Sequence, residues 1–487
     1  MNVINLPPLA PSLIESTRAI GYSLEAAVAD IIDNSIAAKA DQISISFFPI
    51  GDPYVSILDN GEGMTEDALT IAMQYGSQSP LNTRDVTDLG RFGLGLKTAS
   101  LSQCRVLTVV SKCNGTISAR RWDIDFVQNT KQWSLLSLSE EEIEGIPNID
   151  KLKGYSSGTL VVWQNLDRME AGVIDFSLSM GRQIDLVRDH LSLVFHRYLD
   201  GEPGLKRIAI TINGLNVEPQ DPFLTPKSDM TMQAETIVVN GSVIKVQPYI
   251  LPHISKMTAS EIRAAGGKEG LRKLQGFYIY RNRRLLIWGT WFRMMRKGEL
   301  SKLARVRVDI PNTLDELWTI DIKKSTAIPP EEVRSNLANI IDKIGEKSKA
   351  KFTRRGKIET GDASIHLWNR MKDRSGGYYY EINRDHPLVS LVRNEMGKKA
   401  KMLDALLNQV EKSLPLNQLY VDLNNDEQLI NDQAQNEAQI EETLRNILSS
   451  TTEKNEKLAF IDQIESIPPY KDYKKAINKL RNEVQND

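Results

Sequence analysis

Helical and strand periods alternate along residues 21–165, and this alternation limits the fold more than any other feature of the sequence. Apolar residues recur at helical spacing over residues 23–38, whereas residues 42–48 and 54–59 have strand character. Glycine-rich turns and further helices follow. The pattern predicts an α+β sandwich in which one sheet layer packs against one helix layer.

Length and composition limit the number of domains and the class of protein. A chain of 487 residues exceeds what one core usually supports, so we expect two or three domains. A net charge of -2 excludes a generally basic, nucleic-acid-coating protein and leaves a local basic patch open. Cys104 and Cys113 form no CxxC pair and the 5 histidines lie far apart, which argues against structural zinc and favours a reduced, cytoplasmic setting. We expect no membrane association, because no window approaches about 18 apolar residues.

The remaining patterns divide the chain. Residues 179–198 have helical spacing and lead into strand-like runs at residues 207–212, 242–250, 277–280 and 306–309. From Gly345 the chain becomes basic, then helical and charged. We therefore predict domains at 1–178, 179–345 and 346–487. For the mainly helical third region, dimerisation or partner binding and a plain solvated helix are both open.

The first candidate site lies on the helix at residues 23–38. Asp30, Asp33 and Asn34 fall at i, i+3 and i+4, so a carboxylate and a carboxamide share one face. Mg²⁺ prefers oxygen ligands, so the Asn34 carbonyl together with phosphate oxygens would suit it. Asp30, one turn away, could orient or deprotonate a water. A solvated polar stripe is the alternative.

Two glycine-containing segments follow. In Asp59-Asn60-Gly61-Glu62-Gly63-Met64, a carboxylate can accept a hydrogen bond from an exocyclic amine, and the glycines let the backbone lie against a flat base. The run is also a common turn. In residues 90–100, three glycines and Lys97 precede a helix and could surround an anion. A dinucleotide fingerprint is disfavoured, because no strand ends immediately before Gly90.

In this order, the segments resemble the motifs of the GHKL (gyrase, chaperone, histidine kinase, MutL) ATPase superfamily. Their residues are most similar to those of bacterial MORC-like ATPases. The matched segments are Asp30 to Asn34 with the N-box, Asp59 to Gly63 with the adenine motif, Gly90 to Lys97 with the glycine-rich lid motif, and Ser157-Gly158-Thr159-Leu160-Val161 with the strand that closes the adenine pocket. Four ordered matches are far more specific than any one alone.

The resemblance implies a Bergerat-type ATP-binding sandwich followed by a transducer-like α/β domain, with ATP and Mg²⁺ as ligands. It implies that Asn34 holds Mg²⁺, that Asp59 binds the adenine amine, and that Thr159 supports Asp59 through water. The phosphates would be held by Gly93, Gly95 and Lys97, and the rest of the pocket formed by Gly61, Gly63, Met64, Gly90, Phe92 and Leu94. Residues 76–89 would be a lid ordered by ATP.

One departure concerns the catalytic residue. Most members of the superfamily have Glu where this chain has Asp30, and the shorter side chain predicts slow hydrolysis. Glu25 lies more than one turn away and is a poor substitute. In the transducer, the resemblance implies a lysine at the γ-phosphate, and residues 318–325 are similar to that region. We favour Lys324 over Lys323, with two solvated lysines as the alternative.

A basic and aromatic run suggests a partner. Residues 280–284, Trp288, Trp291, Arg293, Arg296 and Lys297 mix these types as a nucleic-acid surface would, although such runs are more often solvated cations beside core aromatics. MutL and MORC relatives engage DNA. We therefore predict an ATPase that forms a homodimeric clamp on DNA when ATP binds, acting in bacterial restriction or anti-phage defence with a partner protein of that system. The alternative is an ATP-binding regulatory or scaffold protein with little hydrolysis.

Overall fold

The structure is a computed structural model that divides into two compact units, Met1–Arg355 and Gly356–Asp487. It describes residues 8–19, 21–76, 95–228, 233–265, 267–298, 301–315, 317–318, 329–353, 366–372, 378–415, 437–449, 453–465, 470 and 473–486.

The first unit begins with a mixed sheet. Its strands are β1 (Gln42–Phe48), β2 (Tyr54–Asp59), β3 (Val106–Cys113), β4 (Thr116–Asp123), β5 (Leu136–Ser137), β6 (Gly158–Gln164), β7 (Ala209–Ile212) and β8 (Leu215–Asn216). They pair in the order β5-β4-β3-β6-β2-β1-β7-β8. Strands β1 and β7 run parallel, and the other neighbours are antiparallel.

Helices cover this first sheet. They are α1 (Ala10–Ala19), α2 (Leu24–Ala37), α3 (Glu66–Met73), α4 (Gly95–Leu101), α5 (Ile124–Thr130), α6 (Glu140–Glu144), α7 (Ile149–Lys153), α8 (Asp167–Glu170), α9 (Phe176–Val194) and α10 (His196–Asp200). Because successive strand residues face opposite sides, Ile57 joins the core formed with α1, α2, α4 and α9. Leu58 joins a smaller cluster with α6 and α7, so both faces of the sheet are covered.

A second sheet follows in the same unit. Its strands are β9 (Glu235–Val239), β10 (Ser242–Ile250), β11 (Gly276–Arg281), β12 (Arg284–Thr290) and β13 (Ala304–Ile310), in the order β12-β11-β13-β10-β9. Its helices are α11 (Ala259–Ala264), α12 (Gly267–Lys273) and α13 (Glu331–Thr353), with 3-10 turns at Ile254–Lys256 and Asn312–Leu314. Val333, Leu337 and Ile340 of α13 are buried in the core of this sheet. Their helical spacing is the reason that α13 packs there.

The second unit is mainly helical. Strands β14 (Trp368–Lys372) and β15 (Tyr378–Ile382) form an antiparallel pair. The helices are α14 (Pro387–Met396), α15 (Ala400–Lys412), α16 (Glu437–Ser449), α17 (Lys454–Ile464) and α18 (Lys474–Asn486), with a 3-10 turn at Gly397–Lys399. Leu444, Phe460 and Ile477 belong to the apolar cluster that joins α16, α17 and α18.

The predicted fold class is confirmed: an α/β sandwich, a further α/β region and a mainly helical C-terminal region. The domain boundaries at 178 and 345 stay predictions. Strands β7 and β8 join the first sheet, the first core extends to Val217, and the first compact unit ends at Arg355. Among the described helices, none is both long enough and apolar enough to cross a membrane.

Candidate functional site

Asp59 lies at the end of β2, directly opposite Thr159 at the start of β6. Its side chain is buried and accepts three hydrogen bonds. The backbone N–H groups of Gly61 and Thr159 donate to Oδ1 at 2.9 and 3.2 Å, and the Ser35 hydroxyl donates to Oδ2 at 2.8 Å. We call Ser35, Asp59, Gly61, Ser111 and Thr159 the Asp59 corner. The predicted neighbourhood of Asp59 and Thr159 is present, with a direct backbone contact.

Burial dominates the electrostatics of Asp59. Loss of hydration raises the pKa of its carboxyl, and the hydrogen bonds from Gly61, Ser35 and Thr159 partly oppose that rise. A carboxylate offers about four acceptor positions, two on each oxygen. The described residues fill both positions on Oδ1 and one on Oδ2. One acceptor position on Oδ2 is left for a donor from a ligand.

The glycines after Asp59 are required by close backbone contacts. A Cβ at Gly61 would lie 2.7 Å from the Ala38 carbonyl oxygen. Gly63 has φ +69°, and its Cβ would lie 2.1 Å from the Lys112 carbonyl oxygen. These positions therefore let the segment after β2 pass between α2 and β3, and at Gly63 a positive φ adds to the requirement.

Ser111 of β3 connects the two sides of this corner. Its Oγ accepts from the Met64 N–H at 2.8 Å and donates to the Gly158 carbonyl at 3.2 Å. The Thr159 hydroxyl lies 3.2 Å from the same Oγ. Met64 and Thr159, both predicted site residues, are thus held through one buried hydroxyl.

Helix α2 presents its three polar residues differently. Asn34 is exposed, as a ligand for a hydrated cation requires, whereas Asp30 and Asp33 are buried at 6% and 1% exposure. Arg284, at the start of β12, lies against them. Its Nε donates to Asp33 Oδ1 at 2.8 Å, and its Nη2 lies 4.0 Å from Asp30 Oδ1. The solvated-stripe interpretation of this helix face is therefore wrong for both aspartates.

Helix α4 lies beside Asp30. A Cβ built at Gly95, its first residue, would be 3.7 Å from Asp30 Oδ2. Lys97 is buried, and its ammonium donates to the carbonyls of Ala72 and Gln74 at 2.8 and 3.0 Å. Burial lowers the pKa of Lys97 to about 8. We call Asp30, Asp33, Gly95, Lys97 and Arg284 the Asp30 corner.

Several predicted site residues lie outside the described residues. These are Gly90, Phe92, Gly93 and Leu94, the segment 77–89 of the predicted lid, and the two candidate lysines Lys323 and Lys324. Their roles stay predictions. In the described ranges, no group of three or more His, Cys, Asp or Glu side chains could hold a metal ion.

The basic and aromatic run is partly internal. Tyr280, Arg281, Arg284 and Trp291 are buried. Arg281 donates from Nε to Asp315 at 2.8 Å, just as Arg284 does to Asp33. Each of these buried arginines is therefore paired with a buried carboxylate that is distant in sequence. These four residues therefore do not belong to an exposed nucleic-acid surface, whereas Arg293, Arg296 and Lys297 are exposed.

The sheet, helix α2 and the glycine-bounded Asp59 corner together define a class. Residues 22–159 match the family model of histidine kinase-, DNA gyrase B- and HSP90-like ATPases. This segment is a GHKL ATPase domain, so the resemblance predicted from the motifs is confirmed.

Individual relatives match over short stretches. DNA mismatch repair protein MutL of Dictyoglomus turgidum is 30% identical over 109 residues, which is 21% of this chain and 19% of the relative. MutL of Pseudothermotoga lettingae is 33% identical over 87 residues, 18% of this chain and 16% of the relative. ATPase morc-1 of Caenorhabditis elegans is 30% identical over 94 residues, 19% of this chain and 11% of the relative. The matches thus span less than a fifth of each relative's length.

Sequence reasoning missed three residues of the site. Ser35 follows Asn34 directly on helix α2, and its hydroxyl contacts Asp59, a residue 24 positions away that no local pattern indicates as its partner. Ser111 sits within an apolar strand, where a buried polar residue usually has a partner. Arg284 contacts a residue 251 positions away, which no local pattern indicates.

Proposed function

We propose that the chain binds ATP with Mg²⁺ in the pocket between the Asp59 and Asp30 corners and hydrolyses it slowly. The observation that carries the proposal is the buried Asp59 carboxylate, which three donors fix while one acceptor position stays available. The exocyclic amine of adenine is a donor of the matching type, whereas guanine presents a carbonyl there.

The phosphates and the metal ion would bind at the other end. The exposed Asn34 carbonyl would hold Mg²⁺ together with phosphate oxygens, and the ion would neutralise phosphate charge. Gly95 begins helix α4 beside Asp30, which supports a phosphate position there. Gly93, Lys97 and Lys324 complete the proposed set, by resemblance to the superfamily. The Lys97 ammonium is hydrogen-bonded to Ala72 and Gln74, so its contribution requires its backbone N–H or a changed side-chain position.

Asp30 is the proposed base for the attacking water. Its carboxylate is one methylene shorter than the glutamate of most members, and it lies 4.0 Å from the Arg284 guanidinium. The shorter side chain favours slow turnover.

ATP binding would drive homodimerisation into a clamp that acts on DNA. Support comes from the relatives, since MutL is named a DNA mismatch repair protein. Light scattering of the full chain with Mg²⁺ and a non-hydrolysable ATP analogue should give twice the mass measured without nucleotide. A mass that does not change with nucleotide would exclude the clamp.

DNA binding would use exposed cations of the second sheet's region. Replacing Arg293 and Arg296 by alanine should weaken DNA binding and reduce its salt dependence, because fewer counterions are released. The control is Arg334→Ala on helix α13. The control should bind DNA like wild type. If the variant that lacks Arg293 and Arg296 also binds DNA as tightly as wild type, these cations are not the DNA surface.

A role in restriction or anti-phage defence, with a partner protein of such a system, rests on the resemblance to bacterial MORC-like ATPases. Plaque counts on cells that carry wild-type or Asp59→Asn protein within its native gene neighbourhood test this role. Protection by wild type alone is expected. Equal protection by both would separate any defence function from ATP binding.

The second candidate is an ATP-binding regulatory or scaffold protein, in which nucleotide shifts a conformational equilibrium without turnover. The observation that favours it is the burial of Asp30 beside Arg284. Hydrolysis rates of wild type and Asp30→Asn distinguish the candidates. A clear difference supports the ATPase, and two equal background rates support the scaffold.

A further inference from the structure

A buried ion pair joins the two sheets of the first unit. Arg284 belongs to the second sheet and Asp33 to helix α2 on the first, and they are 5% and 1% exposed. Arg284 Nε lies 2.8 Å from Asp33 Oδ1. A buried pair is weak evidence for stability, because desolvation offsets the attraction, but in some proteins it fixes a particular arrangement.

The remaining contacts fix the guanidinium plane. Its Nη1 donates to the Leu285 carbonyl at 3.2 Å, and its carbon lies 5.6 Å from the centre of the Phe195 ring. With Nε on Asp33, these contacts direct Nη2 to within 4.0 Å of Asp30 Oδ1. One arginine therefore holds one aspartate directly and lies beside the other.

The hairpin that carries Arg284 makes this contact dependent on the second sheet. Strands β11 and β12 pair antiparallel, and Arg281 faces Arg284 across the turn. A shift of this hairpin relative to α2 would move the guanidinium and, through Asp33, the helical turn that carries Asp30. Proton transfer to a base depends on placement to within about 1 Å.

We propose that Arg284 is a positioning residue for Asp30, which attaches helix α2 to hairpin β11–β12 so that the second sheet controls the orientation of Asp30. The inference rests on the proposed function and adds the link through which the second sheet governs hydrolysis.

The chain offers a closely matched control. Arg281 lies in the same hairpin, is equally buried at 4% exposure, and donates from Nε to Asp315 at 2.8 and 2.9 Å. Arg281→Gln thus removes a similar buried ion pair, whose carboxylate follows the 3-10 turn after β13. A purely structural role for Arg284 predicts that both variants behave alike.

The test measures kcat, KM and the Kd of a non-hydrolysable ATP analogue for full-length wild type, Arg284→Gln, Arg284→Lys and Arg281→Gln. All assays contain Mg²⁺ and are run at a temperature well below the melting temperature of each of the four proteins. Arg284→Gln should lower kcat about 10- to 100-fold with KM and Kd unchanged, because binding and water activation use different residues. Arg284→Lys should be intermediate, because it keeps the charge and loses the planar fork. Arg281→Gln should keep the wild-type kcat.

The role is overturned if Arg284→Gln keeps the wild-type kcat, or if Arg281→Gln loses as much. If Arg284→Gln does not fold, Asp33→Asn is measured instead. A wild-type kcat for Asp33→Asn would also overturn the role. A wild type that does not bind the analogue overturns the proposed function itself. A wild type that binds without turnover overturns the roles of Asp30 and Arg284 and leaves ATP binding intact.

Discussion

The Asp59 corner and the Asp30 corner differ in what holds their carboxylates. Neutral donors fix Asp59, namely two backbone N–H groups and one hydroxyl, and all come from the first sheet and helix α2. The Asp30 corner contains buried charges, and its arginine comes from the second sheet. Ligand binding can therefore be preorganised within the first sheet and the helix packed on it, whereas the reactive end depends on how two sheets are arranged.

The largest expected effect falls on the Asp59 corner. Asp59→Asn should weaken ATP binding about 100-fold or more, because an amide nitrogen at the Oδ2 position would face the adenine amine, donor against donor. The fold should persist, since the amide oxygen can accept from Gly61 and Thr159. Calorimetric titration measures the change. Glu62→Gln, an exposed neighbour, is the control, and equal affinity of both variants would remove Asp59 from the site.

The backbone of the same corner gives the next effect. Gly63→Ala should lower the free energy of unfolding by about 3 kcal/mol, because a strained φ and a contact with the Lys112 carbonyl combine. Gly51 has nearly the same φ, +68° against +69°, with nothing within 4 Å of its Cβ position. Gly51→Ala should therefore cost only about 1 kcal/mol. Equal losses in urea denaturation would show that the close contact is unimportant.

The Asp30 corner should instead respond to pH. Burial lowers the pKa of Lys97 from 10.5 to about 8. Between these values the unfolded chain binds more protons at this residue than the folded chain, so the free energy of unfolding rises with pH. The rise should be about 2 kcal/mol between these two pH values. It is measured by urea denaturation as the free energy of unfolding of wild type minus that of Lys97→Met. A difference that stays constant with pH would mean that Lys97 titrates normally.

The smallest effect concerns Ser111. Ser111→Ala removes the acceptor for the Met64 N–H and the donor to Gly158, and should weaken ATP binding by about 1 kcal/mol. Ser118 lies opposite Ser111 on β4, so Ser118→Ala is the matched control in the same titration. If the control loses as much affinity, the effect belongs to the strand pair and not to the site.

Local patterns predicted the strands and the glycine turn of the Asp59 corner, but not Ser35 or Ser111. Alternation gave the bounds of β1, β2 and β10 as the structure has them, and the glycines marked a turn that only glycine can form. The resemblance implied that Thr159 supports Asp59 through water, whereas in the structure the Thr159 N–H donates directly to Asp59. The strands and the glycine turn arise from short-range geometry, which the sequence expresses directly.

The Asp30 corner was less predictable because it depends on contacts between distant segments. The cations at residues 280–284 resembled a surface patch, because nothing nearby in sequence shows that Asp33 and Asp315 are their partners. The parallel pairing of β1 with β7 was missed for the same reason. Residues 179–198 were predicted to have helical spacing, and the structure divides this segment between α9, which ends at Val194, and α10, which begins at His196.

One titration tests the central claim, that Asp59 forms an adenine site. Full-length wild type is titrated with Mg²⁺ and a non-hydrolysable analogue of ATP, and separately with the corresponding analogue of GTP. Saturable binding of the ATP analogue and much weaker binding of the GTP analogue are predicted, because guanine offers a carbonyl where Asp59 needs a donor. No saturable binding of the ATP analogue, or equal binding of both, would contradict the claim.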